Sequence, residues 1–526
     1  MARSSTAVAV RGPAIPPALR PVVRAYLLGY ASSVGPRLVT VLLSYLAAVR
    51  RQRRKGKAVD SPTHPSDDAS NKASLAHLRS SVTRTLRAGL EWRRFPAFCA
   101  TLVGGTTLLE TPLARVLARL LPSLSLVARA RLSRWLASFI AGYGGLRLLQ
   151  KQTPSFTDVV ETEVVATNPE TKEQIKMATT SKTVFAGRTL DLTLFAVTRA
   201  LDVIVGELWT RRKERKLANG GKWSRFEALV GQLTDPAIFS ASSALVMWAW
   251  FYMPSRLPRA YQSWITAAAA VDDRLIEVLR LCRTDRLQYG QDNGPDARVL
   301  QGMCTDYDWP LAWGDPEQTV PFPCTIVHMD CGPSCEVHAM YRLWRSWRWA
   351  MATYLPLSLL MVLKKPNRNA RGVVRALLSA ARSSAFLGTF IMLFYYGVCL
   401  ARTRIGPFIG PHLLKLAKST GSVKPSSLSP PNHVHQIIDG GVCTATGCAL
   451  CGWSILIERA SRRKDMGLFV APRALATLFP RRYALDKQWR ETVAFAASAA
   501  VVFTAIQENP KRVRGVMGSV LKTVLC

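Results

Sequence analysis

The stretch D-M-G-L-F-V-A-P-R-A-L, from Asp465 to Leu475, repeats a pattern met much earlier as D-L-T-L-F-A-V-T-R-A-L, from Asp191 to Leu201. Six positions coincide: Asp191/Asp465, Leu194/Leu468, Phe195/Phe469, Arg199/Arg473, Ala200/Ala474 and Leu201/Leu475. Downstream, Phe239, Ser242, Ala244, Val246, Ala249, Pro254 and Arg256 recur at unchanged spacing as Phe495, Ser498, Ala500, Val502, Ala505, Pro510 and Arg512. Upstream, Ala97-Phe98, Thr101 and Leu113-Ala114-Arg115 answer Ala385-Phe386, Thr389 and Leu400-Ala401-Arg402 with one residue of slippage. Between these lie two glycine-containing apolar segments, A-G-Y-G-G-L from Ala141 and A-L-C-G-W-S from Ala449. A long echo occurring twice indicates a duplicated domain and not a solenoid, which stacks three or more short repeats.

The composition sets the environment of those segments. A chain of 526 residues with 48% hydrophobic residues and 14 Trp has a mean hydropathy of +0.09, alongside long apolar runs. The fold expected is an all-α polytopic membrane protein with two homologous halves of about four short transmembrane helices each. Candidate spans are 39–49, 97–109, 135–149, 190–208, 238–253, 354–363, 385–401, 447–457, 468–479 and 493–506. Several fall short of the ~20 residues that cross a bilayer core, so they borrow flanking residues, lie in a thinned bilayer or, for 39–49 and 354–363, rest at the interface.

The formal charge of +36 would suggest nucleic acid in a soluble protein. Here the charge stands between apolar runs, in Arg50-Arg51-Gln52-Arg53-Arg54-Lys55, in Arg211 to Lys216, in Lys364-Lys365 and in Arg459 to Lys464. Such clusters at helix ends fit anionic lipid head groups and topology signals, so the partners expected are membrane lipids and not nucleic acid.

The order of segments follows from composition. Residues 1–24 are basic and proline-broken and are expected to be disordered; 25–57 is apolar with a basic flank, and 58–76 is a polar linker. Residues 77–283 form the first membrane repeat, interrupted at 153–188 by an insertion in which Asn168-Pro169-Glu170-Thr171 separates two strand-forming runs. That pattern predicts a small solvent-exposed β-hairpin. A polar connector (284–323), a Cys/His-rich segment (324–350) and the second repeat (351–526, with a Ser/Pro linker at 416–438) complete the chain.

Three constellations are candidates for a site. Cys324, His328, Cys331, Cys335 and His338 place five metal-ligating side chains in fifteen residues; thiolate and imidazole together suit tetrahedral zinc, a disulfide through Cys324 or between Cys331 and Cys335 is a second reading, and unliganded thiols a third. Zinc is the one candidate cofactor. Asp191, Arg199, Asp465 and Arg473 are ionisable residues in apolar helices, where charge is costly unless paired or facing water; they read either as a wet groove or as helix-to-helix locks. Gly142, Gly144, Gly145 and Gly452 allow close helix approach in lipid. Cys448 and Cys451, at the mouth of an apolar helix, read as packing residues. No P-loop, G-x-S-x-G or H-E-x-x-H pattern occurs, and no enzymatic activity is expected.

From the array through H-M-D-C-G-P-S-C to Y-L-P-L-S-L-L, then S-A-F-L-G-T-F, I-L-I-E-R-A-S-R-R and R-A-L-A-T-L-F, the second half resembles the transmembrane protein 135 family, as a fungal-type member. That resemblance spans about Cys324 to Leu521, with the run from Ile455 to Arg463 the most specific part. It implies a fold similar to the Tim-type channel subunits of mitochondrial translocases, a peroxisomal or mitochondrial membrane, and a part in organelle dynamics and lipid homeostasis with organelle protein partners. The chain departs from animal members in its hairpin insertion, in its Ser/Pro linker, and in a cysteine-rich region that lies mid-chain.

Overall fold

The computed structural model describes residues 16–56, 66–151, 156–167, 174–329, 331–363, 370–419 and 430–525. Almost all of it is helical, with a little sheet. In chain order, α1 (Arg20–Gly56), α2 (Ser66–Leu90), α3 (Phe95–Leu120) and α4 (Leu126–Gln150) precede a hairpin of β1 (Phe156–Thr167) and β2 (Gln174–Ala186). Then come α5 (Leu190–Ala218), α6 (Arg225–Tyr252), α7 (Arg259–Ala269), α8 (Asp273–Arg283), α9 (Arg298–Asp306), α10 (Cys324–His328), α11 (Cys335–Leu363) and α12 (Ala370–Leu400). The last stretch holds α13 (Gly406–Ser419), α14 (Pro430–Ile437), α15 (Cys443–Cys451), α16 (Ala460–Leu478), the short β3 (Tyr483–Ala484), α17 (Gln488–Glu508) and α18 (Gly515–Leu525).

Among the described residues, four helical stretches are long and apolar enough to cross a membrane: Pro17–Arg50, Ala370–His412, Asn432–Ile457 and Leu485–Glu508. Only 6% of the apolar window of the first is buried within the protein, against 61% for the second and fourth. The exposed apolar surface of α1 therefore has to be covered by something other than this chain, as lipid would cover it.

The helices start and stop where the sequence gives a reason. A capping box opens α6: Ser224 Oγ accepts from Phe226 N at 3.1 Å and Glu227 Oε2 accepts from Ser224 N at 3.0 Å. Ser125 caps α4 in the same way, accepting from Ala128 N. Both α6 and α17 end two residues before a proline, Pro254 and Pro510, which cannot continue a helix. One sequence expectation needs correction. The polar linker expected through residue 76 is helical from Ser66, because alanines along that stretch outweigh its polarity. The hairpin lies within the expected insertion: its strands pair antiparallel from Phe156↔Phe185 to Thr167↔Gln174, and Phe185 and Ala186 add β3. Residues 1–15, 168–173 and 420–429, in the expected disordered terminus, hairpin turn and Ser/Pro linker, lie outside the described residues.

The chain forms two compact units, one of 1–214 with 481–526 and one of 215–480. In the first, α4 packs against both α3 and α17, and α1 against α3. Its core gathers Phe98, Leu146, Ala196, Ala200, Phe495, Val502 and Phe503. In the second, α6 packs on α16 and on α15, and α12 on α11 and α15, around Phe239, Val246, Trp250, Phe386, Phe394 and Cys448. The units thus run across the two echoing sequence segments: α6 lies with α12, α15 and α16, while α17 lies with α3 and α4. Within the second unit, α8, the connector and α10 share a core of their own, including Val278, Leu287, Tyr289, Leu300, Met303 and Ile326.

Candidate functional site: a thiol–imidazole cluster beside a buried ion pair

The short helix α10 places Cys324 and His328 four residues apart, on one face. After His328 the chain turns through Met329 and Gly332, both in the left-handed region at φ 50° and 82°, so that Cys335 returns at the start of α11. The ligating atoms of Cys324, His328 and Cys335 all lie within 4.8 Å of one another. His328 is fully buried, and its Nδ1 is 2.7 Å from the carbonyl oxygen of Gly332; as that oxygen can only accept, the proton sits on Nδ1 and the Nε2 lone pair faces the thiols. Cys399, in the last turn of α12, brings its Sγ to 3.4 Å from His328 Nε2. The Cys335 thiol is a close neighbour of both Cys324 and Cys399. Burial pushes the Cys324 thiol up from its ordinary range.

Of the five array residues, then, the fold brings three together and adds one from 64 residues further on in the sequence than Cys335. Cys331 stands outside that group. His338 does too: its ring stacks on His328 at 4.5 Å between centroids, and both its nitrogens are buried without a hydrogen-bond partner. Burial, then the charge of Arg342, push the His338 imidazole down to about 3. None of the ten described cysteines forms a disulfide with another described cysteine, so none joins Cys324, Cys331 and Cys335 to one another here. Cys448 and Cys451 are buried packing residues of α15.

Beside the cluster is a charge pair that sequence reading missed. Arg402 Nε donates to Asp439 Oδ1 at 2.7 Å and its Nη2 to Oδ2 at 3.1 Å, a bidentate contact with both side chains buried. Tyr289 donates to Asp439 Oδ2 at 2.6 Å, and Arg402 Nη2 also donates to the Phe322 carbonyl at 2.9 Å. Each charged residue stands in a single π-helical turn, Ala401–Ile405 or Ile438–Val442. These contacts tie the connector (Tyr289, Phe322) to two helices long enough to span. The available signal was Arg402 itself, the arginine closing an apolar run of seventeen residues that begins at Ala385.

The repeated ionisable residues divide. Arg199 is buried, donates to the Arg514 carbonyl at 3.4 Å and lies 5.1 Å over the Phe195 ring. Arg473 is half-buried, donates to the Phe469 carbonyl at 2.6 Å and lies 3.8 Å over the Phe469 ring. Each arginine thus covers the repeated phenylalanine one turn before it, a cation–π contact. The aspartates do not join them. Asp191 is in the first turn of α5, 53% exposed, and accepts from Arg481 at 2.9 and 3.3 Å; eight residues of helix hold it about 12 Å from Arg199 along the axis. Asp465 is half-buried within α16. Asp202, one turn past Arg199, pairs with Arg514.

Three of the four glycines make close helix contacts. A Cβ on Gly142 would meet Ala496 Cα of α17 at 3.1 Å, and one on Gly452 would meet Ser240 Cα of α6 at 2.4 Å. Gly145 faces the Phe98 ring at 3.4 Å, whereas Gly144 opens onto free space.

Fold and site together define an all-α protein with helices able to cross a membrane, in which buried charges are held by carboxylates, carbonyls and rings. Compared with protein-family models, curated proteins and solved structures, the chain matches none.

Proposed function

We propose that this chain is a non-enzymatic integral membrane protein of the peroxisome or mitochondrion, whose two homologous halves form Tim-like bundles that move or organise lipid or polypeptide and so contribute to organelle lipid homeostasis. The observation that carries the membrane part is the apolar surface left uncovered on the span-length helices: Leu27, Leu28, Leu42, Leu43 and Leu46 on α1, and Val373, Val374, Leu377 and Leu378 on α12 are all exposed. In water such faces would associate; in a bilayer they are solvated. The resemblance to the transmembrane protein 135 family supports the organelle and the lipid role.

Duplication is supported by matched contacts. Phe98 meets Phe495 in one unit and Phe386 meets Phe239 in the other, with centroids 5.8 and 5.7 Å apart. Under the sequence echo, Phe98 answers Phe386 and Phe495 answers Phe239. Ala496 and Ser240, which also answer each other, each take a glycine of the apolar segment, Gly142 in one unit and Gly452 in the other, two positions out of step. Each half therefore contributes its earlier helices to one bundle, and α6 or α17 to the other.

A scaffold that recruits organelle-dynamics factors through its basic loops is the second reading. It is favoured by Arg199, Arg402 and Arg473, each of which is engaged in a structural contact within its own unit. Reconstitution into liposomes separates the two: transfer of labelled lipid, solute or polypeptide is expected for the first, and its absence at full insertion rejects that reading. Organelle fractionation with protease protection tests the location.

A further inference from the structure

We propose that Cys324, His328, Cys335 and Cys399 hold one structural zinc ion in a closed Cys3His site, which fastens the α10 turn and the start of α11 to the last turn of α12. The inference is independent of the transport and scaffold readings.

Geometry carries it. With Zn–S near 2.3 Å and Zn–N near 2.0–2.1 Å, a tetrahedral site has a sulfur-to-nitrogen edge of about 3.6 Å; Cys399 Sγ and His328 Nε2 are 3.4 Å apart. Sulfur-to-sulfur edges would be about 3.8 Å, so atoms within 4.8 Å need to close by about 1 Å at most. The imidazole is oriented for the task, because Gly332 holds the Nδ1 proton and a carbonyl in that place is the usual outer partner of a metal-bound histidine. The donor set contains three sulfurs, one nitrogen and no carboxylate, which selects a thiophilic ion over calcium or magnesium.

Charge points the same way. Zinc displaces the three thiol protons on binding, leaving a site of net charge −1. Close by, Arg342 is 2% exposed, donates to the Ala270 carbonyl at 3.0 Å and lies 4.3 Å over the Tyr395 ring. Among the described residues it has no carboxylate partner, although a buried unpaired cation is costly. Arg342 Nη2 is 3.6 Å from the sulfur of Met329, the residue after His328. An anionic metal cluster supplies the countercharge that this arginine otherwise lacks.

The test uses full-length protein purified in detergent without chelator or metal-affinity resin. Elemental analysis is expected to find one zinc per chain in wild type, in Cys331→Ser and in His338→Phe, and to find it lost from Cys335→Ser. After exchange with cobalt, the thiolate-to-metal charge-transfer band should fall by about a third in Cys399→Ser if metal is retained there, as one of three thiolates is gone. Wild type without zinc, an undiminished band in Cys399→Ser, or metal lost with Cys331 overturns the assignment. If the cysteine variants do not fold, alkylation of wild type decides: a chelator should expose Cys324, Cys335 and Cys399 to label together, and labelling of Cys399 that ignores the chelator rejects it as a ligand.

Discussion

Phe98 of α3 packs on Phe495 of α17, their ring centroids 5.8 Å apart at 52°, although nearly four hundred residues separate them and a whole second unit intervenes in the sequence. The counterpart pair, Phe239 and Phe386, meets edge-on at 5.7 Å. Helix α17, near the C-terminus, is thus part of the core of the unit that holds the N-terminal helices. Removing residues 481–526 is expected to unfold that unit and leave 215–480 folded, since the second unit draws no core residue from the deleted segment. Limited proteolysis in detergent reads this directly: protection retained over 1–214 would show that α17 is dispensable. Within the intact protein, a Phe98→Leu, Phe495→Leu cycle should give a coupling of about 0.5–1.5 kcal/mol.

The Arg402–Asp439 pair gives an asymmetric prediction. Asp439→Asn strips the countercharge from a buried guanidinium and is expected to destabilise the second unit by about 3–5 kcal/mol, whereas Arg402→Met with Asp439→Leu should recover most of that loss. Thermal unfolding in detergent gives the ranking. A double variant no more stable than Asp439→Asn would mean that the network is kept for its geometry.

Gly452 and Gly144 are expected to respond oppositely to alanine. At Gly452 the new methyl would lie 2.4 Å from Ser240 Cα, forcing α6 away at a cost of about 1–3 kcal/mol. At Gly144 it meets nothing within 4 Å, and the helix should gain about 0.5–1 kcal/mol. Equal melting temperatures for the two variants would remove the close approach of Gly452 to α6.

Asp272 should make α8 sensitive to acid. Its Oδ1 accepts from the backbone N of Arg274 at 3.0 Å, capping α8, and its Oδ2 accepts from Arg274 Nη2 at 2.9 Å. The Arg274 side chain, then that backbone N–H, hold the carboxyl below its ordinary range. A carboxyl depressed on folding contributes stability that is present above about pH 4, its unfolded value, and is lost as the pH falls below that. Asp272→Ala is expected to cost about 0.5–2 kcal/mol at neutral pH and to flatten the acid limb; hydrogen exchange in α8 reports both. An acid limb as steep in the variant as in wild type would assign it to other groups.

Arg199 and Arg473 occupy matched positions but unequal surroundings. Arg199→Leu removes a 6%-exposed guanidinium from both a carbonyl and a ring and should lower folded yield more than Arg473→Leu, whose side chain is half-exposed and bonded within its own helix. Lysine at either position should restore charge without the planar stacking that arginine gives. Wild-type yield in both leucine variants would mean that neither arginine is needed for folding.

Local information was sufficient for much of this protein. Long apolar runs marked many of the longer helices, Asn168-Pro169 between strand-forming runs marked the hairpin, and the echo from Asp191 and Asp465 paired residues in like contacts, as Phe195 under Arg199 and Phe469 under Arg473 show. The array of Cys324, His328 and Cys335 was also legible, because its members lie within a few turns of one another. What tertiary structure alone decided involves partners distant in sequence: Cys399 joining that cluster, Asp439 meeting Arg402, Arg481 drawing Asp191 to the surface, and α17 completing the first unit. Spacing along a chain constrains contacts within a few turns of helix, where 3.6 residues make each turn. Which distant helix fills a groove depends on side-chain shape, here whether Ala496 can seat against Gly142 and Ser240 against Gly452, and that choice is made only when the helices pack.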